Sequence, residues 1–515
     1  MCGIFFIKNN DNKEKKFIYN NFIKGKNRGP DNSKLLCLNN KYNLSGNNYL
    51  GFHRLSINGL NNISNQPFIK NNVYLVCNGE IYNYKQLYEK INITPVTNSD
   101  CEIILDLYLL YPNDFIKYLD GVFSFIIYDT NNDNITIGRD PIGIRPLFYS
   151  LDFTCFSSEI KTIINFNKNY NQFPPGHILV NYTFNKYFNI NNTIIVNSNN
   201  IIDDYLMFCS LVQNQLINAV RKRLLSDRPI ACLLSGGLDS SLITSIVSKE
   251  LNKQIETFSI GLEGSTDLKY AKIVSKYLNT KHTEIILSED DFFNAIPEVI
   301  KIIESYDITT VRASVGNYLV SKYISNNSNA KVIFNGDGSD ELTGGYLYFH
   351  NCPNDIEFDI EINKLLNNIA YFDVLRSDKS ISSCGLEPRT PFLDKSFVTT
   401  YLSIPIEHRR QVGQIEKKLL RDSFKGYLPF EVLYRVKEAF SDGVSAENNS
   451  WYKIIHSKLK LLELPDITFN EDKPIDNEKK YYKYLYDLNY KNYNPIPYYW
   501  MPNWSNTSDP SARTL

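Results

Sequence analysis

The sequence predicts two fold classes in one chain: a strand-rich α+β domain over residues 2–190 and, over residues 205–515, an α/β domain built on a doubly wound parallel sheet. Three observations carry this expectation. Short apolar runs separated by turn residues crowd the first third of the chain. A polar, asparagine-rich stretch at residues 189–200 then breaks the pattern and reads as a linker. Beyond it, apolar strands alternate with helical patterns, the rhythm of βαβ units.

In the first part, the strand candidates are residues 2–7, 73–77, 122–128, 135–137, 147–149 and 177–180, with helical patterns at 84–90 and 102–111. That spacing reads as packed sheets. In the second part, a helix-like run at 205–225 leads into an apolar strand at 230–234, a Gly turn and a helix at 240–249. Strand 256–260, a helix near 269–278, strand 283–287, one long helix ending near 324 and strand 331–335 follow. Such sheets bind ligands beyond the carboxyl ends of their strands, so the loops after 234 and 335 are where chemistry is expected. The Tyr- and Asn-rich stretch beyond 462 carries no pattern that assigns it.

At roughly 150 residues per domain, 515 residues hold two large domains or three ordinary ones. Apolar residues at 43% and charged residues at 22% give the balance of a soluble globular enzyme. Lys and Arg total 55 against 56 for Asp and Glu, so no overall field draws the chain to nucleic acid or to anionic lipid. The first eight residues lack a basic leader, and no segment approaches the roughly 20 apolar residues of a membrane span, so a cytoplasmic location is expected. Nine cysteines without a C-x-x-C pair read as reduced thiols rather than as a disulfide framework or a zinc site.

The run Ser235-Gly236-Gly237-Leu238-Asp239-Ser240-Ser241 follows a buried strand and opens a helix. Its glycines allow a tight turn in which backbone N–H groups and the helix N-terminus converge on an anion. The serine hydroxyls add donors, and Asp239 can hold a magnesium ion against phosphate charge. The lysine of a Walker A loop is missing, so this is a phosphate cradle of another kind. A second loop, Asn335-Gly336-Asp337-Gly338-Ser339-Asp340-Glu341, ends a later strand, and its acids would face the same crevice. Lys437 is a candidate to neutralise a leaving pyrophosphate.

Cys2 is the one cysteine in a chemically unusual place. Removal of Met1 would leave its α-amino group, which titrates near pH 8, free to act as base for its own thiol. Asn78 and Gly79 follow a strand and could donate to the oxyanion of amide hydrolysis. Arg54 offers a planar fork for an α-carboxylate, Asp100 a counter-charge for an α-ammonium, and the turn Arg28 to Asp31 could order the Cys2 neighbourhood.

The order of these motifs, from Met-Cys-Gly-Ile through Arg28-Gly29-Pro30-Asp31, His53-Arg54-Leu55-Ser56, Asn78-Gly79-Glu80-Ile81-Tyr82-Asn83, Ser99-Asp100 and Gly138-Arg139-Asp140 to the Ser235 loop, Thr309 to Ser314, Asp340-Glu341-Leu342, Pro391 to Asp394 and Lys437, resembles glutamine-hydrolysing asparagine synthetases from residue 2 to about 460. The resemblance implies an N-terminal-nucleophile (Ntn) hydrolase sandwich (αββα) joined to an ATP pyrophosphatase-type synthetase domain, with an ammonia tunnel between them. It implies glutamine, aspartate and MgATP as substrates and is compatible with a homodimer. By position, Cys2 would be the nucleophile and Asn78 and Gly79 the oxyanion hole, while Arg54, Leu55, Ser56, Ile57, Asn58, Glu80 and Asp100 would hold glutamine. Leu233, Ile260, Asn335 and Gly336 would line ATP, Ser235, Gly236, Gly237, Asp239, Ser240 and Ser241 would hold its pyrophosphate with Lys437, and Asp239 and Asp340 would hold Mg2+. Asp337 would assist the chemistry of the intermediate, near which Arg312 is expected. Two departures stand out: Asn335 and Asp337 replace the Ser and Glu of the family's Ser-Gly-Glu-Gly-Ser-Asp-Glu pattern, and Asn27 replaces a His. An enzyme adenylating another substrate, a phosphoribosyl amidotransferase and a non-catalytic descendant are the rival readings.

Overall fold

The computed structural model describes all residues except 10–12, 39–46, 192–200, 411–412, 414, 447–448, 466–475, 492, 506, 508 and 511–515. Most of the expected linker, 189–200, therefore lies outside the described residues.

Among the described residues twelve strands precede it: β1 (Gly3–Lys8), β2 (Asn32–Leu38), β3 (Asn48–Arg54), β4 (Phe68–Lys70), β5 (Val73–Ile81), β6 (Gly121–Asp129), β7 (Asn134–Arg139), β8 (Phe148–Ser150), β9 (Cys155–Ser157), β10 (Tyr170–Gln172), β11 (His177–Val180) and β12 (Thr183–Lys186). They form two six-stranded sheets, ordered β10-β8-β9-β1-β3-β2 and β12-β11-β7-β6-β5-β4. Successive side chains point to opposite faces of a strand, and the sequence supplies apolar residues on both. Ile4 and Phe6 of β1 join Leu50 and Phe52 of β3, Val76 of β5, and Ile126 and Tyr128 of β6 in one buried cluster drawn from both sheets. Phe5 and Ile7 point the other way, onto Ile18 and Phe22 of helix α1 (Lys15–Phe22). Leu75, Cys77 and Phe125 likewise face α2 (Tyr84–Ile91) and α3 (Ile103–Leu110). Six of these strands, β1, β5, β6, β7, β8 and β11, match runs read from the sequence. Of the other six, β4, β9, β10 and β12 are only three or four residues long, whereas β2 and β3, seven residues each, are not among the runs read from the sequence.

Helix α4 (Ile201–Lys222) leads into a third sheet, ordered β15-β14-β13-β16-β17 and parallel throughout, from β13 (Ile230–Leu233), β14 (Glu256–Gly261), β15 (Lys281–Ile286), β16 (Val332–Phe334) and β17 (Glu387–Arg389). Cys232, Leu234, Val332 and Phe334 pack with residues of α4 and of α5 (Leu238–Leu251). Ala231, Phe258, Ile260 and Ile333 pack with the opposite layer. Helix α6 (Thr266–Tyr277) links β14 to β15. The expected single helix before β16 is two: α7 (Glu289–Ile303) and α8 (Ile308–Asn327). The chain breaks at Glu304, which is left-handed at φ 57°, and Asp307 caps α8 by accepting the Thr310 N–H at 2.8 Å. β13 has β14 on one side and β16 on the other, so the loops leaving β13 and β16 diverge around a switch point, where such sheets open a crevice. Among the described residues no helix is long and apolar enough to cross a membrane.

Candidate active sites

Cys2 leads into β1 of the first sheet, and Asn78, Gly79 and Glu80 belong to β5 of the second. Asn78 accepts the Cys2 N–H through Oδ1 at 3.1 Å. Its Nδ2 is buried and has no hydrogen-bond partner. An unmade buried donor costs about 1–3 kcal/mol, and this one sits on the carboxamide that fixes the nucleophile candidate. A tetrahedral oxyanion requires such a donor. At Gly79 a Cβ would lie 2.7 Å from the Phe123 Cα, so only glycine lets β5 and β6 close here. Arg28 Nε donates to the Cys2 carbonyl at 2.9 Å, and its buried guanidinium pairs with Glu159 at 3.0 Å and Asp378 at 2.7 Å, so the Arg28 turn does order the Cys2 neighbourhood.

Met1 is buried, its amino group 3.9 Å from Glu387 Oε2. With Met1 in place, burial pushes the Cys2 thiol up to about 11, only partly opposed by the positive amino terminus. At neutral pH such a thiol is ionised in roughly one molecule in 10⁴.

Arg54 donates to Asn61 O (3.0 Å), Asn65 Oδ1 (2.7 Å), Asn58 O (3.3 Å) and Gly59 O, none of them a carboxylate. Burial lowers its pKa, the mark of a cation short of counter-charge. Asn58 links it to the opposite charge: Asn58 Nδ2 lies 2.5 Å from Glu80 Oε2 and 3.4 Å from Asp100 Oδ1. Burial pushes Asp100 up to about 6, and burial together with Asp100 lifts Glu80 well above the usual carboxylate range. An arginine lacking an anion lies one residue's reach from Asp100, which has no ion-pair partner among the described residues, and from Glu80, whose one cation is Arg389 at 3.4 Å; the arrangement complements a zwitterion. Around it, Leu55 O is 3.7 Å from the Cys2 Sγ, while the carbonyls of Ser56 and Ile57 accept from Arg228 Nε (2.9 Å) and Asp227 N (3.1 Å).

The second set lines one cleft of about 220 Å³ at the carboxyl ends of β13, β14 and β16. Leu233, Ser235, Gly237, Asp239, Ser240, Ile260, Asn335, Gly336, Asp337, Asp340 and Lys437 all border it. Ser240 Oγ accepts the Ser235 N–H at 3.1 Å and lies 2.9 Å from Ser235 Oγ, closing the loop on itself. Gly236 shapes it rather than borders it: φ is +75°, and a Cβ would strike Tyr270. Ser241 stands apart from the cleft. Fully buried, with an unpartnered hydroxyl, it is turned away because each helical residue rotates about 100° from the one before. Arg312 is also turned away, clamped between Glu478 (2.6 Å) and Asp509 (2.8 Å) of the C-terminal segment, while its neighbours Thr309, Thr310 and Ala313 border the cleft. That segment, unassigned from the sequence, brings Tyr498, Trp500 and Pro510 to the cleft wall.

Lys417 is the residue that sequence reasoning missed. Its ammonium lies 2.7 Å from Asp239 Oδ2, 2.6 Å from Asp340 Oδ1 and 3.3 Å from Ser339 Oγ, tying the two loops together. Lys437 adds a 2.6 Å contact to Asp340 Oδ2. Although burial opposes the charge, these two lysines hold the Asp340 carboxyl well below the usual range. Two carboxylates, one from each loop, thus converge on one cationic point beside the Ser235 loop, and carboxylate oxygens of this kind could hold a Mg2+ ion. Asp337 is held by Arg376 at 3.1 Å and by Asn335 Nδ2 at 2.7 Å, so the longer Asn reaches the shorter acid. Among the described residues one further metal-like cluster occurs, His456, Asp476 and Glu478, where Glu478 is already paired with Arg312.

The two sites meet at β17. Arg389 Nη2 lies 3.4 Å from Glu80 Oε2, and its carbonyl accepts the Asn335 N–H at 3.1 Å.

Comparison with known proteins gives a matching pair of assignments. A family model described as glutamine amidotransferase domain covers residues 1–210, and one described as asparagine synthase covers 211–362 and 354–466. The glutamine-hydrolysing asparagine synthetase of Gallus gallus is 40% identical, and that of Mesocricetus auratus 39%, over 95% of this chain and 94% of each relative. A solved glutamine phosphoribosylpyrophosphate amidotransferase from B. subtilis aligns with 50% of this chain and 65% of its own at 16% identity and a TM-score of 0.32, too distant to bear on the fold.

Proposed function

Because this chain belongs to the glutamine-hydrolysing asparagine synthetases, we propose that its first site frees ammonia from glutamine at Cys2 and that its second, around Ser235, captures it on an adenylated aspartate. The overall reaction is asparagine synthesis from aspartate, glutamine and ATP. The single observation that carries the residue-level reading is the orphaned Asn78 Nδ2 beside Cys2.

Two units, 2–190 and 205–515, carry the work. The cluster shared by the first two sheets, with helices outside them, supports an Ntn-hydrolase sandwich for the first. Once Met1 is removed, the α-amine of Cys2 takes the thiol proton and the sulfur attacks the glutamine amide carbon. Asn78 Nδ2 and the Gly79 N–H receive the oxyanion, Arg54 holds the α-carboxylate, and Glu80 and Asp100 hold the α-ammonium. Leu55 to Asn58 wall this pocket. At the second site the aspartate β-carboxylate attacks the α-phosphate of ATP, giving β-aspartyl-AMP. Ser235, Gly237, Ser240, Lys417 and Lys437 hold the departing pyrophosphate, and Asp337 accepts a proton as ammonia attacks. Asp239 and Asp340 would hold Mg2+, which offsets phosphate charge when bound. The ion pairs and the Arg389 link between the halves support passage of ammonia inside the protein rather than through solvent.

Amide-labelled glutamine, aspartate and MgATP given to the purified protein should yield labelled asparagine with AMP and pyrophosphate in equal amounts. Release of ADP, or asparagine without label, would refute the scheme.

The Asp100 carboxyl, pushed up to about 6 by burial, must be ionised to hold an ammonium. Below pH 6 the KM for glutamine is expected to rise about tenfold per pH unit while kcat changes little. Asp100→Asn should remove the inflection. A KM independent of pH down to 5 would take Asp100 out of the glutamine site.

A further inference from the structure

Helix α8 presents one face to the ATP cleft: Thr310, Ala313, Asn317 and Val320 border it at the three- and four-residue spacing of a single helical stripe. Within that mostly small and apolar stripe, Asn317 has no role in the chemistry above. It is 4% exposed, and its Nδ2 is buried without a hydrogen-bond partner.

Its position along the sheet can be worked out. The Tyr323 ring, further along α8, lies 6.4 Å from that of Phe258 in β14. Six residues at about 1.5 Å each carry the helix about 9 Å from Tyr323 to Asn317, the length of about three strand residues at 3.3 Å. A helix that feeds a parallel strand runs back against the strand direction, so this step leads toward the carboxyl end of β14. Asn317 therefore stands near the Ile260–Gly261 end of β14, at the mouth of the sheet. Ile260 and Val320 pack in one apolar cluster with Leu233 against it, all three border the same cleft as Asn317, and Ser235 of the anion cradle begins two residues after Leu233. The space is an apolar slot with a waiting amide in one wall, one strand end from the phosphate cradle. Aspartate, charged at both ends, is a poor occupant of such a slot, because it would bury charge against Leu233, Ile260 and Val320. A purine ring buries its two faces there and offers nitrogen acceptors at its edge.

We propose that Asn317 reads the base of ATP, its carboxamide donating to an adenine ring nitrogen and able to accept from the 6-amino group in the same plane. This deepens, and rests on, the reading of the cleft as an ATP site.

The test is equilibrium binding to the full chain by calorimetry, with ATP and with inorganic tripolyphosphate as probes. Asn317→Leu keeps the number and branching of side-chain heavy atoms and removes the orphan amide. Its ligand-free melting temperature is expected to rise, since a buried unsatisfied donor disappears. Its ATP affinity is expected to fall about 5- to 10-fold, the effect of one lost hydrogen bond, with tripolyphosphate affinity unchanged. Asn317→Ala, which only truncates, should show the same split between the two probes and serves if the leucine variant fails to fold. Unchanged ATP affinity, or an equal loss for tripolyphosphate, overturns the assignment. Wild-type protein that binds ATP with this pattern but makes no asparagine would instead refute the synthetase reading alone. Wild-type protein that binds no ATP would refute both.

Discussion

Cys2→Ala is expected to lower glutamine-dependent asparagine formation by at least about 10³-fold, as loss of a covalent nucleophile does elsewhere, while ammonia-dependent formation continues. The separation follows from architecture. Cys2 lies in the first unit, its N–H held by Asn78 and its carbonyl by Arg28, and among the described residues none of its hydrogen-bond partners borders the ATP cleft. Alanine keeps both backbone contacts, so the fold and the second site should survive. The measurement is asparagine production with glutamine and with ammonium chloride in parallel, together with glutamate release. Glutamate release at the unmodified rate would show that another group attacks the amide. The same assay addresses Met1: protein retaining it should be as inactive with glutamine as the alanine variant, because burial holds its thiol at about 11.

Lys417→Met should slow synthesis from both nitrogen sources by about 10²- to 10³-fold. The side chain is almost fully buried and neutralises Asp239 and Asp340 at once. Leaving part-buried Asp239 without its cation, and Asp340 with Lys437 alone, costs about 3–5 kcal/mol, and part of that falls on the transition state, where pyrophosphate charge also accumulates. Lys417→Arg should fail to rescue, because the lysine stem passes so close to Gly345 that even a Cβ there would clash, and a guanidinium is wider than an ammonium. Pyrophosphate release is the readout. A variant within threefold of the parent would reduce Lys417 to a structural tie.

How much of this was legible in the sequence depends on how local each feature is. The Ser235 and Asn335 loops could be read because strand, turn and helix follow one another within a dozen residues, and the structure brings both to one cleft. Cys2 and Asn78 were legible only as members of a motif order, since their contact spans two sheets. Lys417 was not legible. It lies in a charged run like many surface segments, and its left-handed backbone, φ 58°, leaves no trace in residue type. Arg312 misled for the complementary reason: its motif borders the cleft, but helical rotation directs its own side chain to Glu478. The break at Glu304 was missed because no Gly or Pro marks it. Tertiary contacts stabilise the turn instead, for the Glu304 carboxylate accepts the Ile160 and Lys161 N–H groups at 2.9 Å from the other unit.

Strand β17 forms one margin of the parallel sheet, and margins of sheets invite other polypeptides to add on through unsatisfied main-chain groups. Here the margin is three residues long, its central Pro388 has no N–H to give, and Glu387 and Arg389 are engaged by Arg145 and Glu80 of the amidotransferase half. The half that supplies nitrogen thereby also guards its neighbour against self-association. A fragment holding only the carboxyl-terminal unit would present that flank, its Glu387–Arg389 pair stripped of Arg145 and Glu80, to the surrounding solution.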